Sequence, residues 1–97
     1  MALFAISCID KPDSLELRMA TRQSHLAYAN GGQTIVKMKM GGPYLDDQGN
    51  MAGSLLIVEA PDRRAVEEFS RNDPYVTAGL FQSVEIRPYR VTVGPPL

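Results

Sequence analysis

The run LLIV at residues 55–58 places four apolar side chains in succession, and it constrains the fold more than any other feature of this chain. Successive side chains of a β-strand point to opposite faces of a sheet, so a run of this kind is buried on both faces. Residues 3–9 (LFAISCI) show the same pattern, because only Ser7 and Cys8 interrupt the apolar residues. The two segments together predict a sheet that is covered on both of its faces.

The other segments predict the element order βαββαβ. The predicted elements are a strand over residues 3–9, a helix that Asp13 or Ser14 caps and that ends at residue 30, strands over residues 33–40 and 53–60, a helix starting at residues 61–62, a helical turn ending near Gly79 and a strand over residues 81–93. Gly41-Gly42-Pro43 is expected to stop the second strand, and residues 46–50 are a turn cluster.

This order is that of an α+β protein with a ferredoxin-like antiparallel sheet and both helices on one face. Two helices cover one face of the sheet, so the apolar residues of the other face need a further cover. The simplest cover is a second copy of the chain, which predicts a homodimer or a higher homo-oligomer. A partner protein is the alternative.

The composition, the charge and the motifs of the sequence limit the classes of function that we expect for this chain. We expect a single domain over residues 1–97, with residues 93–97 as a frayed tail. The net charge of −1 gives no reason to expect nucleic-acid binding. No apolar run reaches the roughly 18 residues of a membrane span, and the opening MALFAISCID lacks the basic start of a signal peptide, so a cytoplasmic protein without a membrane partner is expected. Cys8 is the sole cysteine and no nucleotide-binding motif is present, so we expect neither a metal nor a cofactor.

The first helix combines apolar and cationic residues. At about 100° per residue, it has an apolar stripe made of Leu15, Met19 and Leu26. Arg22 falls within this stripe, and Arg18 and His25 fall along one edge of it. Burying an arginine beside a core is costly unless the charge is paired or faces a pocket. Arg22 therefore either reaches water and pairs with an acid such as Glu16, or lines a binding pocket; His25 is either an ordinary edge histidine or a functional one.

The segment RNDPY at residues 71–75 has a local interpretation of its own. Asp73 followed by Pro74 is typical of a helix N-cap with proline at the first helical position. A capping carboxylate can also serve in catalysis, so the two roles of Asp73 are compatible.

Three stretches of the sequence resemble one known family. They read DKPDSLELRMATRQSHLAY, GGPYLDDQGNMAGSLLIVEA and NDPYVTAGLFQSVEIRPYR, and the resemblance extends from residue 3 to residue 90. The chain is similar to the YciI-like (YCII-related) family, which implies a dimeric α+β barrel. The resemblance further implies an active site built on His25 and Asp73, with Gly42, Pro43 and Ser54 in the same cleft.

The resemblance names no reaction, although members with proposed activities act on small organic substrates, including dechlorination-type chemistry on aromatic rings. A carboxylate bound to one imidazole nitrogen leaves the other nitrogen as a general base. Arg22, with Arg18 beside it, can hold an anionic oxygen. We therefore predict a cofactor-free lyase, isomerase or hydrolase with a His25–Asp73 dyad and a small-molecule substrate bound by Arg22, Gly42, Pro43 and Ser54. The alternative is a non-catalytic small-molecule binding or oligomerisation module.

Overall fold

A computed structural model describes residues 1–31 and 35–97 of the chain. The elements are β1 (Ala2–Asp10), α1 (Leu15–Ala29), β2 (Lys37–Leu45), β3 (Met51–Ala60), α2 (Arg63–Arg71), α3 (Pro74–Thr77) and β4 (Phe81–Tyr89). The predicted order βαββαβ is confirmed, and α3 is the short helical turn expected after the RNDPY segment.

The four strands form one antiparallel sheet in the order β2-β3-β1-β4. The two inner strands, β1 and β3, are the two whose apolar runs predicted burial on both faces. The sheet side chains in the core are chiefly Phe4, Ile6, Leu56 and Val58, and they pack with Val66 and Phe69 of α2. This is the ferredoxin-like α+β fold, with the core between the sheet and the helices on one face.

The opposite face of the sheet carries the side chains of the other parity. It contains Leu3, Ala5 and Ile9 of β1, Leu55 of β3, and Met40 and Tyr44 of β2. Ile9 is 45% exposed and Met40 is 54% exposed, so this open face presents apolar surface to water. At its centre the hydroxyl groups of Ser7 and Tyr44 are hydrogen-bonded at 2.9 Å.

The prediction that Gly41-Gly42-Pro43 stops the second strand is wrong, because β2 continues through these residues to Leu45. β2 is an edge strand, where a proline without an N–H leaves no ladder hydrogen bond broken. The strand also shifts register between Met38 and Met40. Gly41 follows this shift, and a Cβ at this position would lie 2.8 Å from Leu56 Cδ2, so the Leu56 side chain would have to move to make room for it. Residues 33 and 34, the first residues predicted for this strand, lie outside the described residues. So does Gly32, which together with Gly31 was expected to end the first helix.

The last strand is shorter than predicted, since β4 ends at Tyr89 instead of residue 93. Tyr89 pairs with Leu3, which lies one residue inside the start of β1, so the partner strand ends at this point. The C-terminal end of α1 falls at Ala29, with Asn30 as its C-cap, close to the predicted end at residue 30.

Candidate active site

The face that α1 turns to the core differs from the predicted one. The buried residues of α1 are Arg18 and His25, 2% and 6% exposed, whereas the predicted stripe of Leu15, Met19 and Leu26 is at least 38% exposed. Arg18 and His25 are seven residues apart, about two helical turns, and so lie on the same side of the helix. Arg22, which was expected beside the core, is exposed. The apolar-stripe prediction was wrong because polar groups of other elements bind the buried side of α1.

His25 meets the carboxylate of Asp73. The Nδ1 atom of His25 lies 2.9 Å from Oδ1 and 3.0 Å from Oδ2 of Asp73, and both side chains are buried. Oδ1 also accepts a hydrogen bond from the backbone N–H of Tyr75 at 2.9 Å, so Asp73 is the N-cap of α3 as expected. The same carboxylate therefore caps a helix and binds the single histidine of the chain.

The Asp73 contact determines the orientation of the imidazole. An ionised carboxylate can only accept hydrogen bonds, so Nδ1 carries the proton and donates it. In the neutral imidazole the lone pair then lies on Nε2, the nitrogen that has no hydrogen bond to a described residue. The ring of Tyr75 stacks on the imidazole, with centroids 4.1 Å apart and an interplanar angle of 15°. Two independent contacts thus hold the His25 ring.

A second buried polar group lies on the same side of α1. Arg18 donates from Nε to Asp10 Oδ2 at 2.7 Å and from Nη2 to Asp10 Oδ1 at 2.8 Å. The Nη2 atom also donates to the hydroxyl of Ser54 at 2.9 Å. Burial opposes the charged form of Arg18, but the hydrogen bond and the charge of Asp10 outweigh this effect and raise its pKa. The buried arginine of α1 and its acid are therefore Arg18 and Asp10, whereas Arg22 is exposed and lines the cavity, as the second of its two interpretations expected.

The two polar groups border one cavity of about 170 Å³. Its polar lining includes Arg18, Arg22 and His25 of α1, Asn30 at the C-cap of that helix, Ser54 of β3, and Tyr75. Gly42 and Pro43 of β2 form part of its wall. Leu26, Met38, Met51 and Leu56 make much of the rest of the lining apolar. All the predicted substrate-binding residues therefore lie around this cavity, and Asp73 lies behind His25. An apolar cavity of about 150 Å³ is known to accept benzene, so the volume suits a single six-membered ring.

A larger concavity of about 360 Å³ lies elsewhere, next to Tyr28, Phe69 and Pro61. Its charged lining groups, Asp62, Arg64 and Glu68, are exposed side chains. The smaller cavity instead brings buried histidine, arginine and serine side chains together. We take the smaller one as the candidate site, because buried and convergent polar groups are the mark of a binding site.

Two residues of the site were missed from the sequence. These residues are Asp10, which the sequence alone gave no role in the site, and Tyr75, which entered only as the last residue of the RNDPY segment. A buried arginine requires a buried acid, so the cationic residues of α1 were the available signal for Asp10. No such signal existed for Tyr75, whose ring is 1% exposed and lies 4.6 Å from the Cζ atom of Arg18.

The thiol of Cys8 is unsuited to act as the nucleophile of this site. Burial, assisted by the negative charge of Asp73, raises the pKa of Cys8 to about 12. The reactive thiolate is therefore almost absent at neutral pH.

Within residues 1–31 and 35–97, no group of three or more His, Cys, Asp or Glu side chains is arranged to hold a metal ion. None of the helices in the same ranges has the length and apolar character needed to cross a membrane.

The fold and the site together define a ferredoxin-like α+β protein with a small-molecule cavity. The sequence profile of the YCII-related domain matches residues 2–90, and the chain belongs to this family. Protein YciI of Escherichia coli O6:H1 is 32% identical over 94 residues, which cover 91% of this chain and 96% of that protein.

Solved structures give the same fold. The 5-chloro-2-hydroxyhydroquinone dehydrochlorinase TftG of Burkholderia phenoliruptrix AC1100, in complex with 2,5-dihydroxybenzoquinone, has a TM-score of 0.80 and 35% identity, covering 91% of this chain and 93% of that one. An antibiotic biosynthesis monooxygenase has a TM-score of 0.59 and 11% identity, covering 96% of this chain and 100% of that one. The second likeness shows the fold alone.

Proposed function

We propose that this protein is an enzyme that moves a proton on a small hydroxylated ring, with His25 as general acid–base and Asp73 as the residue that orients it. The observation that carries the proposal is the His25–Asp73 contact of 2.9 Å at the edge of a cavity of about 170 Å³. Because Asp73 binds Nδ1, the basic Nε2 is left for a substrate. General acid–base catalysis by such a group contributes about 10²–10⁴ in rate.

The size of the cavity and the neighbouring dehydrochlorinase both support a single-ring substrate. A cavity of about 170 Å³ is smaller than the roughly 300–1,000 Å³ of sites for drug-sized ligands. TftG, which shares 35% identity with this chain, was solved with 2,5-dihydroxybenzoquinone, a ring of this size. We therefore propose hydroxylated benzene or quinone rings as the substrate class.

The proposed chemistry needs only proton transfers by the protein. His25 Nε2 takes the proton of a ring hydroxyl, and the electron pair left on oxygen moves into the ring. The imidazolium returns this proton to a ring carbon, which gives the keto tautomer. Where that carbon bears chlorine, departure of chloride and loss of a second proton give a quinone with net loss of HCl. Asp73 stabilises the imidazolium that forms in between, because its carboxylate accepts the hydrogen bond from Nδ1.

The predicted substrate-binding residues fit around such a ring. Gly42 and Pro43 offer backbone at the cavity wall, where a planar ring can approach closely, and Arg22 brings an exposed charge to the cavity. The hydroxyl of Ser54 already accepts a hydrogen bond from Arg18, so it is available to donate to an oxygen of the substrate.

The proposal is tested by proton exchange and chloride release. Under argon, the protein is incubated with 5-chloro-2-hydroxyhydroquinone for chloride release, and with unchlorinated hydroxyhydroquinone in D₂O for ring deuteration. We expect both rates to exceed the buffer rate by about 10² or more, and to fall to the buffer rate in His25→Gln. Equal rates for the wild type and His25→Gln would contradict catalysis and favour a binding module.

We further propose that a second copy of the chain covers the open face of the sheet. Apolar residues such as Ile9, Met40 and Leu55 on this face would be shielded in a dimer in which the two sheets face each other.

A cytoplasmic location remains a prediction from the sequence.

Leu55→Lys is expected to convert the dimer to a monomer, because it places a charge in the middle of the open face. Sedimentation velocity at micromolar concentration measures the change. The matched control is Leu17→Lys on the exposed side of α1, where Leu17 is 38% exposed, and it should leave the dimer intact. A wild-type protein that sediments as a monomer would disprove this arrangement.

A further inference from the structure

Positive charge faces the candidate cavity and negative charge lies behind it. The described lining includes the guanidinium groups of Arg18 and Arg22 but no carboxylate. Asp10 and Asp73 bind the buried sides of Arg18 and His25, on contacts of 2.7 and 2.9 Å. A cavity whose walls present cationic groups and whose acids are turned away favours a ligand that carries negative charge.

Arg18 has one nitrogen left for such a ligand. Its Nε and Nη2 atoms are bonded to Asp10 and Ser54, so the two N–H groups of Nη1 are the ones that these residues leave open. The side chain of Tyr75 also interacts with the guanidinium group. Within the described part of the chain, no fully buried side-chain nitrogen or oxygen lacks a partner. Arg18 is 2% exposed and lines the cavity, and Nη1 is the nitrogen that it can offer to a ligand there.

The guanidinium is also fixed before any ligand arrives. Asp10 binds it through two parallel hydrogen bonds, Ser54 adds a third, and the ring of Tyr75 lies 4.6 Å from its Cζ atom. A bidentate arginine loses little further freedom on binding an oxyanion, whereas the exposed Arg22 must be ordered first. Arg18 is therefore the better placed of the two arginines to bind an anion.

We infer that Arg18, held by Asp10 and Ser54, is an anion subsite, and that the ring substrate carries an ionised oxygen, such as a phenolate or enolate, bound at Nη1. The inference rests on the proposed function for the identity of the cavity. Arg18 and His25 both line the cavity of about 170 Å³, so a single ring that fills it meets both groups. The ionised oxygen and the proton that His25 moves are then at two different positions of the same substrate ring.

The test compares two rings of similar size and different charge. The probes are 2,5-dihydroxybenzoquinone, whose hydroxyls are conjugated to carbonyls and ionised at neutral pH, and hydroquinone, whose phenols stay neutral at pH 7. Calorimetry of the wild-type protein should give a dissociation constant at least about tenfold lower for the anion than for hydroquinone. A tenfold difference corresponds to the free energy of one hydrogen bond to a charged group. Asp10→Asn/Arg18→Met, which removes both charges together, should abolish this preference.

Controls separate this inference from the catalytic proposal. His25→Gln should lose turnover and keep the preference for the anion, so a failed dyad does not remove the subsite. Arg64→Gln, which removes an exposed charge outside this cavity, should leave the preference unchanged, and Arg22→Gln should lower it less than Asp10→Asn/Arg18→Met does. A preference that survives in Asp10→Asn/Arg18→Met, or that disappears in Arg22→Gln, would overturn the assignment to Arg18, as would a wild-type protein with no preference.

A measurement on the unmodified protein covers the case in which the double variant does not fold. In ¹⁵N-labelled wild-type protein, the guanidinium resonances of Arg18 should shift on addition of 2,5-dihydroxybenzoquinone and stay in place with hydroquinone. Resonances that stay unchanged at saturating anion would place the ionised oxygen elsewhere and refute the inference.

Discussion

Asp73→Asn is expected to lower kcat/KM for the ring substrate by about 10²–10⁴ while the chain stays folded. Asparagine is as good an N-cap as aspartate, so its Oδ1 atom can keep the hydrogen bond from the backbone N–H of Tyr75. Its Nδ2 group then faces His25 and donates to Nδ1. This donation favours the imidazole tautomer with its proton on Nε2, and in that tautomer the base that faces the cavity is lost.

Two measurements check this result. Turnover gives the loss in kcat/KM, and ¹⁵N NMR of the imidazole should show the proton on Nδ1 in the wild type and on Nε2 in Asp73→Asn. Asp62→Asn is the matched control, because Asp62 caps α2 through Ala65 in the same way and contacts no histidine. Asp73→Asn with more than about a third of the wild-type kcat/KM would contradict the dyad.

The inner strands and the general fold could be predicted from the sequence, because a strand that is buried on both faces is recognised by its run of consecutive apolar residues. Residues 3–9 and 55–58 are apolar at both parities, and only an inner strand of a covered sheet requires this. The edge strand β2 carries no such signature. Its continuation through Gly42 and Pro43 depends on its place at the edge of the sheet, which is a property of the assembled fold.

The buried face of α1 was mispredicted for a related reason. Hydrophobic periodicity assumes that a helix buries its apolar stripe, but α1 buries Arg18 and His25 because their acids come from elsewhere in the chain. Asp10 lies 8 residues from Arg18 in sequence, and Asp73 lies 48 residues from His25. The periodicity of a single helix contains no information about these partners. The resemblance to a family identified His25 and Asp73, and the exposed Leu15 and Met19 show that periodicity alone favoured the wrong face.

Arg18→Met is expected to lower the free energy of unfolding by about 3–5 kcal/mol, the largest stability effect that we predict for this chain. The methionine fills much of the volume of the arginine, so the cost arises mainly from electrostatics. Asp10 would keep a buried carboxylate whose side chain is 6% exposed, with both of its arginine hydrogen bonds removed. An uncompensated buried charge of this kind is costly because water no longer solvates it.

The double variant Asp10→Asn/Arg18→Met should regain most of this loss and unfold within about 1 kcal/mol of the wild type, because no buried charge remains. Urea unfolding of the four proteins of the cycle measures the coupling between Arg18 and Asp10 directly. The matched control is Glu67→Gln, which breaks the exposed Arg63–Glu67 pair at 3.3 Å and should cost about 0.5 kcal/mol or less. If Arg18→Met costs no more than this control, Asp10 is solvated in the folded protein. The fixed guanidinium on which the anion subsite depends would then not exist.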